Sequence, residues 1–151
     1  MLMQITPEQI ANNWDFLRTC IINNAPLQRD HKEQDNNILL ALLSGVMQCW
    51  VEAIQHDEDN KLRTELRAVV ITQVLEDPIS NVSNLLIYSL YGFNNAFDIS
   101  SWRKGILTLV RFARKMNCSR MLAYTSNESI LTFMRKLGAD DSQRIVILPF
   151  N

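Results

Sequence analysis

Ile10, Trp14, Leu17 and Ile21 recur every three or four residues, the spacing that gathers apolar side chains on one face of a helix. Thr6-Pro7-Glu8-Gln9 reads as the start of that helix. Thr6 is placed to cap it, Pro7 suits the first helical position, and Gln9 closes a capping box. Residues 1–5 read as a short opening strand, and Asn23-Asn24-Ala25-Pro26 ends the helix. A second helix is expected over 30–43, stopped by Ser44-Gly45. The period then falls to two. Residues 46–55, 62–75 and 84–93 are rich in β-branched and aromatic side chains, separated by a polar turn at 56–61 and by Glu76-Asp77-Pro78, whose proline cannot donate to a ladder. Three consecutive strands with short polar connections predict an antiparallel meander. From Ser100 or Ser101 the helical period returns. Trp102, Ile106, Leu109, Ala113 and Met116 share one face, up to a left-handed cap at Asn117. A strand over 120–124 follows, then a helix over 127–137 with Ile130, Met134 and Leu137 inward and Gly138 as its cap. A last apolar strand is expected over 144–150. The order β-α-α-β-β-β-α-β-α-β is that of an α/β chain with a mixed (α+β) sheet.

The composition narrows the partners. At 151 residues, 47% hydrophobic and 21% charged, the chain is the size of one domain (1–151) and has enough apolar area for a core, which excludes a disordered polyelectrolyte. A net charge of −1 gives no reason to expect a nucleic acid or a membrane surface as partner of the whole chain. Arg103, Lys104, Arg111, Arg114 and Lys115 nevertheless cluster on one expected helix. They read either as an anion patch, for nucleic acid or an acidic partner, or as a solvated outer face; the overall charge favours the second. Cys20, Cys49 and Cys118 are odd in number and widely spaced, so no disulfide framework is expected and a reducing compartment such as the cytoplasm fits. His31 and His56 lie in different segments and no zinc or calcium spacing occurs, so no metal is expected. No P-loop, HExxH or nucleophile-elbow pattern is present. No run reaches the roughly 18 apolar residues of a membrane helix, and the first residues lack the pattern of a signal peptide.

The element order resembles the GNAT (N-acetyltransferase-like) superfamily, and over the last third the likeness extends to residues. GILTLVRFARKMNCSRMLAYTSNESILTFMRKLGA, starting at Gly105, looks like that family's helix–strand–helix segment. Asn127 stands where an asparagine commonly opens the last helix, and Leu137-Gly138 matches the leucine-glycine that closes it. The resemblance implies a central strand splayed from its neighbour, with pantetheine in the gap. It also implies a Gln/Arg-x-x-Gly-x-Gly/Ala turn that offers backbone N–H groups to the pyrophosphate at a helix N-terminus. Here that turn falls on Trp102-Arg103-Lys104-Gly105-Ile106-Leu107. One glycine is kept, the leading position is Trp102, and Leu107 replaces the second small residue, where it would crowd the phosphates. Phe93, Arg103, Lys104, Gly105 and Asn127 are the cofactor-binding positions this resemblance implies, with Gly92 beside them.

The acid chemistry also departs from the family. Many members carry a tyrosine four residues before the closing glycine to protonate the leaving thiolate. Met134 occupies that place and has no proton to give. Tyr124 is the candidate substitute, and Glu52, with His56 nearby, the candidate base. Ser-Leu-Tyr-Gly-Phe at 89–93, with the altered last helix, is similar to GNAT-like proteins of short-tailed bacteriophages, where the fold serves in virions and assembly as well as in acetyltransferases. The expectation is a GNAT-fold pseudoenzyme with a degenerate acyl-CoA site and no cofactor. It would be a structural or interaction protein bound to a partner in an assembly, including other virion proteins of a phage particle. The alternative is an acyl-CoA-dependent N-acyltransferase using acetyl-CoA on a small amine or a protein amino group.

Overall fold

A computed structural model describes residues 1–22, 31–58, 61–93, 99–125 and 128–143. Strand β1 (Leu2–Gln4) leads into α1 (Pro7–Asn12) through the expected capping box. Thr6 Oγ1 accepts from the Gln9 N–H at 3.3 Å, and Gln9 Oε1 accepts from the Thr6 N–H at 2.8 Å. The single helix expected here is in fact two, α1 and α2 (Trp14–Ile22). Asn13 leaves helical geometry at φ −119°, ψ 19°, and its side-chain amide donates to the Gln9 carbonyl at 2.8 Å. A side chain that competes for backbone groups in this way ends a helix turn. The apolar stripe runs through the break undisturbed, so Ile10, Leu17, Cys20 and Ile21 are all buried. Helix α3 (His31–Leu43) follows, tied to α2 by an ion pair from Arg18 to the buried Asp35.

The meander overruns its expected turns. β2 (Met47–Glu58) and β3 (Lys61–Asp77) pair down to Glu58 opposite Lys61. His56 Nε2 stands 3.0 Å from Glu65 Oε2, so polar residues read as a turn sit in the ladder as cross-strand pairs. At the far end Asp77 ends β3 and shapes the turn into β4 (Val82–Gly92), its carboxylate accepting from the Ile79 N–H at 3.0 Å and the Ser80 hydroxyl at 2.7 Å. Helix α4 (Ile99–Lys115) then crosses over to β5 (Cys118–Ala123), and α5 (Glu128–Lys136) follows. Strand order is β1-β2-β3-β4-β5, antiparallel except for the parallel β4–β5 pair, the one pair that requires a crossover helix.

Alternation sends successive strand residues to opposite layers. Cys49, Val69 and Ile71 pack under α1–α3 with Ile10, Leu17, Ile21 and Leu42. Leu2, Trp50, Val70, Leu85 and Ile87 pack under α4 with Leu109 and Ala113. Within the α4 layer the Trp50 indole donates to Thr72 Oγ1 at 2.9 Å, and that hydroxyl donates to Gln48 Oε1 at 3.0 Å. The two outermost expected core positions fail. Met116 is 42% exposed and Leu137 43%, because each lies just past the end of its helix, beyond the reach of the packed face. Asn117 (φ 56°) and Gly138 (φ 86°) do adopt the left-handed geometry expected of helix caps. The strand expected over 144–150 lies outside the described residues.

Candidate functional site

Strand β4 loses its regular alternation at Tyr88. Ile87 faces Thr72 and Ser89 faces Ile71, so Tyr88 has no opposite number on β3. This β-bulge sends two successive side chains to the α1–α3 side. Tyr88 Oη accepts from Gln34 Nε2 at 3.4 Å, and the Ser89 hydroxyl donates to the Ile21 carbonyl at 3.3 Å. On its other edge β4 pairs with β5 from Ser83 opposite Cys118 to Ile87 opposite Ala123. Among the described residues none continues that pairing over 88–92. A bulge bends its strand and raises the local twist. The parallel pair therefore parts where the extra residue sits, leaving an edge of roughly 16 Å along 88–92. Leu90 packs toward α4, while Tyr91 and Phe93 pack toward the helices of the other layer.

The residues singled out from sequence fall around this opening unevenly. Phe93 donates its N–H to Arg67 O at 2.9 Å, and its ring stacks on Phe16 (5.8 Å, 7°) and meets Tyr91 edge-on (4.8 Å, 80°). It is thus anchored in an aromatic cluster. Tyr124 follows Ala123 immediately and is 43% exposed, at the lip of the opening. Glu52 lies on β2 in register with Ala68 and, across β3, with Gly92. It shares a strand face with Trp50 on the α4 side, mostly buried and 3.8 Å from the Met1 nitrogen. Strand spacing and rise put Glu52 and Tyr124 roughly 20 Å apart, so the sheet does not bring them into one catalytic pair. His56 lies farther along β2 and pairs with Glu65. Met134 is half-buried on α5, and Asn127 lies outside the described residues.

The segment 102–107 is not a turn. It lies within α4, which begins at Ile99. Beyond the first four residues of a helix, each N–H is spent on the carbonyl four residues earlier. The amides of Gly105 and Leu107 are therefore engaged within the helix. Gly105 is buried, and a methyl group there would lie 3.9 Å from Leu2 Cδ2, so the glycine faces β1. Leu107 is 49% exposed. Trp102 is half-buried, while Arg103 and Lys104 are exposed. The residues present thus suit an extended chain lying along β4, but a diphosphate meets no free amide pair at Gly105 and Leu107.

Thiol chemistry is disfavoured. Burial, with Cys20 nearby, pushes the Cys49 thiol up to about 12, and burial also raises Cys20 and Cys118. Among the described residues no three His, Cys, Asp or Glu side chains converge as a metal site, and no helix is long and apolar enough to cross a membrane. The bulge was missed in the sequence, although Ile87 to Leu90 and Tyr88 to Tyr91 are each spaced by three where alternation demands two.

Several solved structures similar to this chain are acetyltransferases. A probable acetyltransferase superposes with a TM-score of 0.68 at 14% identity, over 100% of this chain and 98% of its own. A ribosomal-protein-alanine N-acetyltransferase from Brucella melitensis biovar Abortus 2308 gives 0.67 at 12%, covering 100% and 99%. An aminoglycoside N-acetyltransferase in complex with CoA gives 0.64 at 12%, covering 100% and 99%. No protein-family model matches the sequence, and no curated protein matches it. The fold is that of the GNAT acetyltransferases; among the described residues it is a five-stranded mixed sheet with helices on both faces.

Proposed function

We propose that this chain is a GNAT-fold protein with a degenerate acyl-CoA site, acting as an interaction or assembly component. The observation that carries this reading is the helical state of 102–107. The amides that would cradle a diphosphate are spent on helix bonds, and a leucine and a tryptophan hold positions where small or polar residues would serve. Met134 removes the acid of the last helix as well. A binding surface needs the scaffold and not the phosphate turn. The partner is another protein of the same assembly, and the sequence likeness of 89–93 to short-tailed phage proteins makes a virion the assembly of first choice. Calorimetry with acetyl-CoA and with CoA tests this: no heat of binding is expected at ligand concentrations up to about 1 mM, and a micromolar dissociation constant would overturn the reading.

A second reading, an acyl-CoA-dependent N-acyltransferase, is favoured by the open edge of β4 over 88–92, where an amide-bearing arm can pair with the strand. Tyr124 at the lip would then protonate the departing thiolate, and a water would take the amine proton, since Glu52 stands roughly 20 Å from Tyr124. The similar structures include enzymes named for protein alanine and for aminoglycosides, so peptide N-termini and small polyamines are the acceptors to try. Release of free thiol from acetyl-CoA with such a panel, lost in Tyr124→Phe, would establish this reading.

A further inference from the structure

Helix α4 turns Gly105, Leu109 and Ala113 inward, with Ile106 and Phe112 beside them. Its outer face consists of Arg103, Lys104, Leu107, Arg111, Arg114 and Lys115, all exposed. At about 100° and 1.5 Å per residue, these six occupy roughly one third of the helix circumference along about 18 Å. The helix carries five cations and no acid, while the whole chain is −1, so the remainder carries −6. Among the described residues none of the five takes part in an ion pair. Arg114 and Lys115 sit favourably at the negative end of the helix dipole, while Arg103 and Lys104, past the first turn, gain nothing from it. Arg111 also faces Arg114 and Lys115 at three and four residues, an arrangement of like charges that weakens a helix. Nothing within the described fold offsets this repulsion.

We infer that the outer face of α4 docks an acidic segment of a partner protein. Charge complementarity selects an anion, and Leu107 selects a protein. A half-exposed leucine ringed by cations has the layout of an apolar anchor with a charged rim, as in protein interfaces. It gives a phosphate backbone nothing to bind, and no aromatic ring stands on this face for a base to stack on. The −6 elsewhere repels a long polyanion, whereas a short acidic segment meets only the +5 helix. Arg103, Lys104 and Leu107 belong also to the segment weighed for acyl-CoA, but Arg111, Arg114 and Lys115 stand three turns or more from the start of α4, so charge reversal there tests the docking surface apart from that reading.

The test uses the full chain and fluorescence anisotropy with two labelled probes of equal length, a repeating Glu-Glu-Leu peptide and single-stranded oligothymidylate, at about 50 and about 200 mM salt. The peptide is expected to bind at the lower salt. Combined Arg111→Glu, Arg114→Glu and Lys115→Glu substitution should weaken it at least about tenfold, and Leu107→Ser should weaken it at least about threefold without changing its salt dependence. If the triple variant loses its far-UV dichroism, Arg111→Gln alone is read, with a loss of about threefold expected. Tighter binding of the oligonucleotide, peptide binding that survives charge reversal, or no binding at the lower salt would each overturn the proposal.

Discussion

Gly105 is the residue for which a phosphate-binding role and a packing role make opposite demands, and Gly105→Ala separates them. A glycine beside a diphosphate is there because any Cβ would block the ligand. In this fold Gly105 sits in the seventh position of α4 with its backbone in ordinary helical geometry, and a Cβ would meet only Leu2 Cδ2, at 3.9 Å, within contact range. Replacing glycine by alanine in a helix interior stabilises by about 0.8–1 kcal/mol. Burying one more methyl against Leu2 adds up to about 0.8 kcal/mol. The gain is then about 1–2 kcal/mol, and at about 2–4 °C per kcal/mol for a chain of this size the midpoint should rise by roughly 2–8 °C. Thermal unfolding followed by far-UV circular dichroism reads this directly. Gly138→Ala is the control. The substitution is the same, but Gly138 has φ 86°, where a Cβ costs about 1–2 kcal/mol, so that midpoint should fall. A lower midpoint for Gly105→Ala would refute the helical assignment of 102–107, and with it the argument that the cradle is lost.

Other expectations follow from the same geometry. Thr72→Val keeps the volume but strands the Trp50 indole N–H and Gln48 Oε1 in the core, and should cost about 2–4 kcal/mol in urea unfolding with an unchanged slope; Thr72→Ser keeps the hydroxyl and should cost under about 1.5 kcal/mol. Burial holds Cys20 and Cys49 as thiols, so in the native protein iodoacetamide should label the half-buried Cys118 first, with the other two reacting only on unfolding; equal rates by mass spectrometry would contradict the core described. The Ser80 hydroxyl and the Ile79 N–H hold the Asp77 carboxyl below its ordinary value. Its stabilising effect on the β3–β4 turn is therefore complete above the unfolded-state pKa and is lost as pH falls through the lower, folded one. An NMR titration of the Ile79 amide should show that acidic transition, and Asp77→Asn should abolish it.

How much of this was legible in the sequence depended on whether the signal was local. The Thr6 capping box, the left-handed Asn117 and Gly138, and the α4 stripe as far as Ala113 rest on residues close in sequence, and these formed as read. Asn13 was invisible because breaking the helix there leaves the period of buried residues intact. The 56–61 stretch read as a turn because its residues are polar, yet the backbone pairing of β2 with β3 runs on to Glu58 opposite Lys61, with His56 meeting Glu65 across it. The 102–107 segment shows two readings in conflict. The serines before it and the apolar stripe through it required a helix, whereas alignment to a family pattern required a turn, and the local physics prevailed. The distance between the candidates Glu52 and Tyr124 was hidden for a different reason. Their separation is set by strand order, and a sequence read one element at a time does not say how many strands lie between two residues.

The divergence of β4 from β5 originates in a surplus of one residue at Tyr88. Such a cleft is encoded as a length, not as a chemistry. Exchanging side chains at 102, 107 or 134 changes what can happen inside it without changing the count that opens it. Excising a single position between Ile87 and Ser89 would do the reverse: the phase of β4 would be restored, β5 could continue its ladder past Ala123, and the cleft would zip shut around an otherwise intact set of side chains.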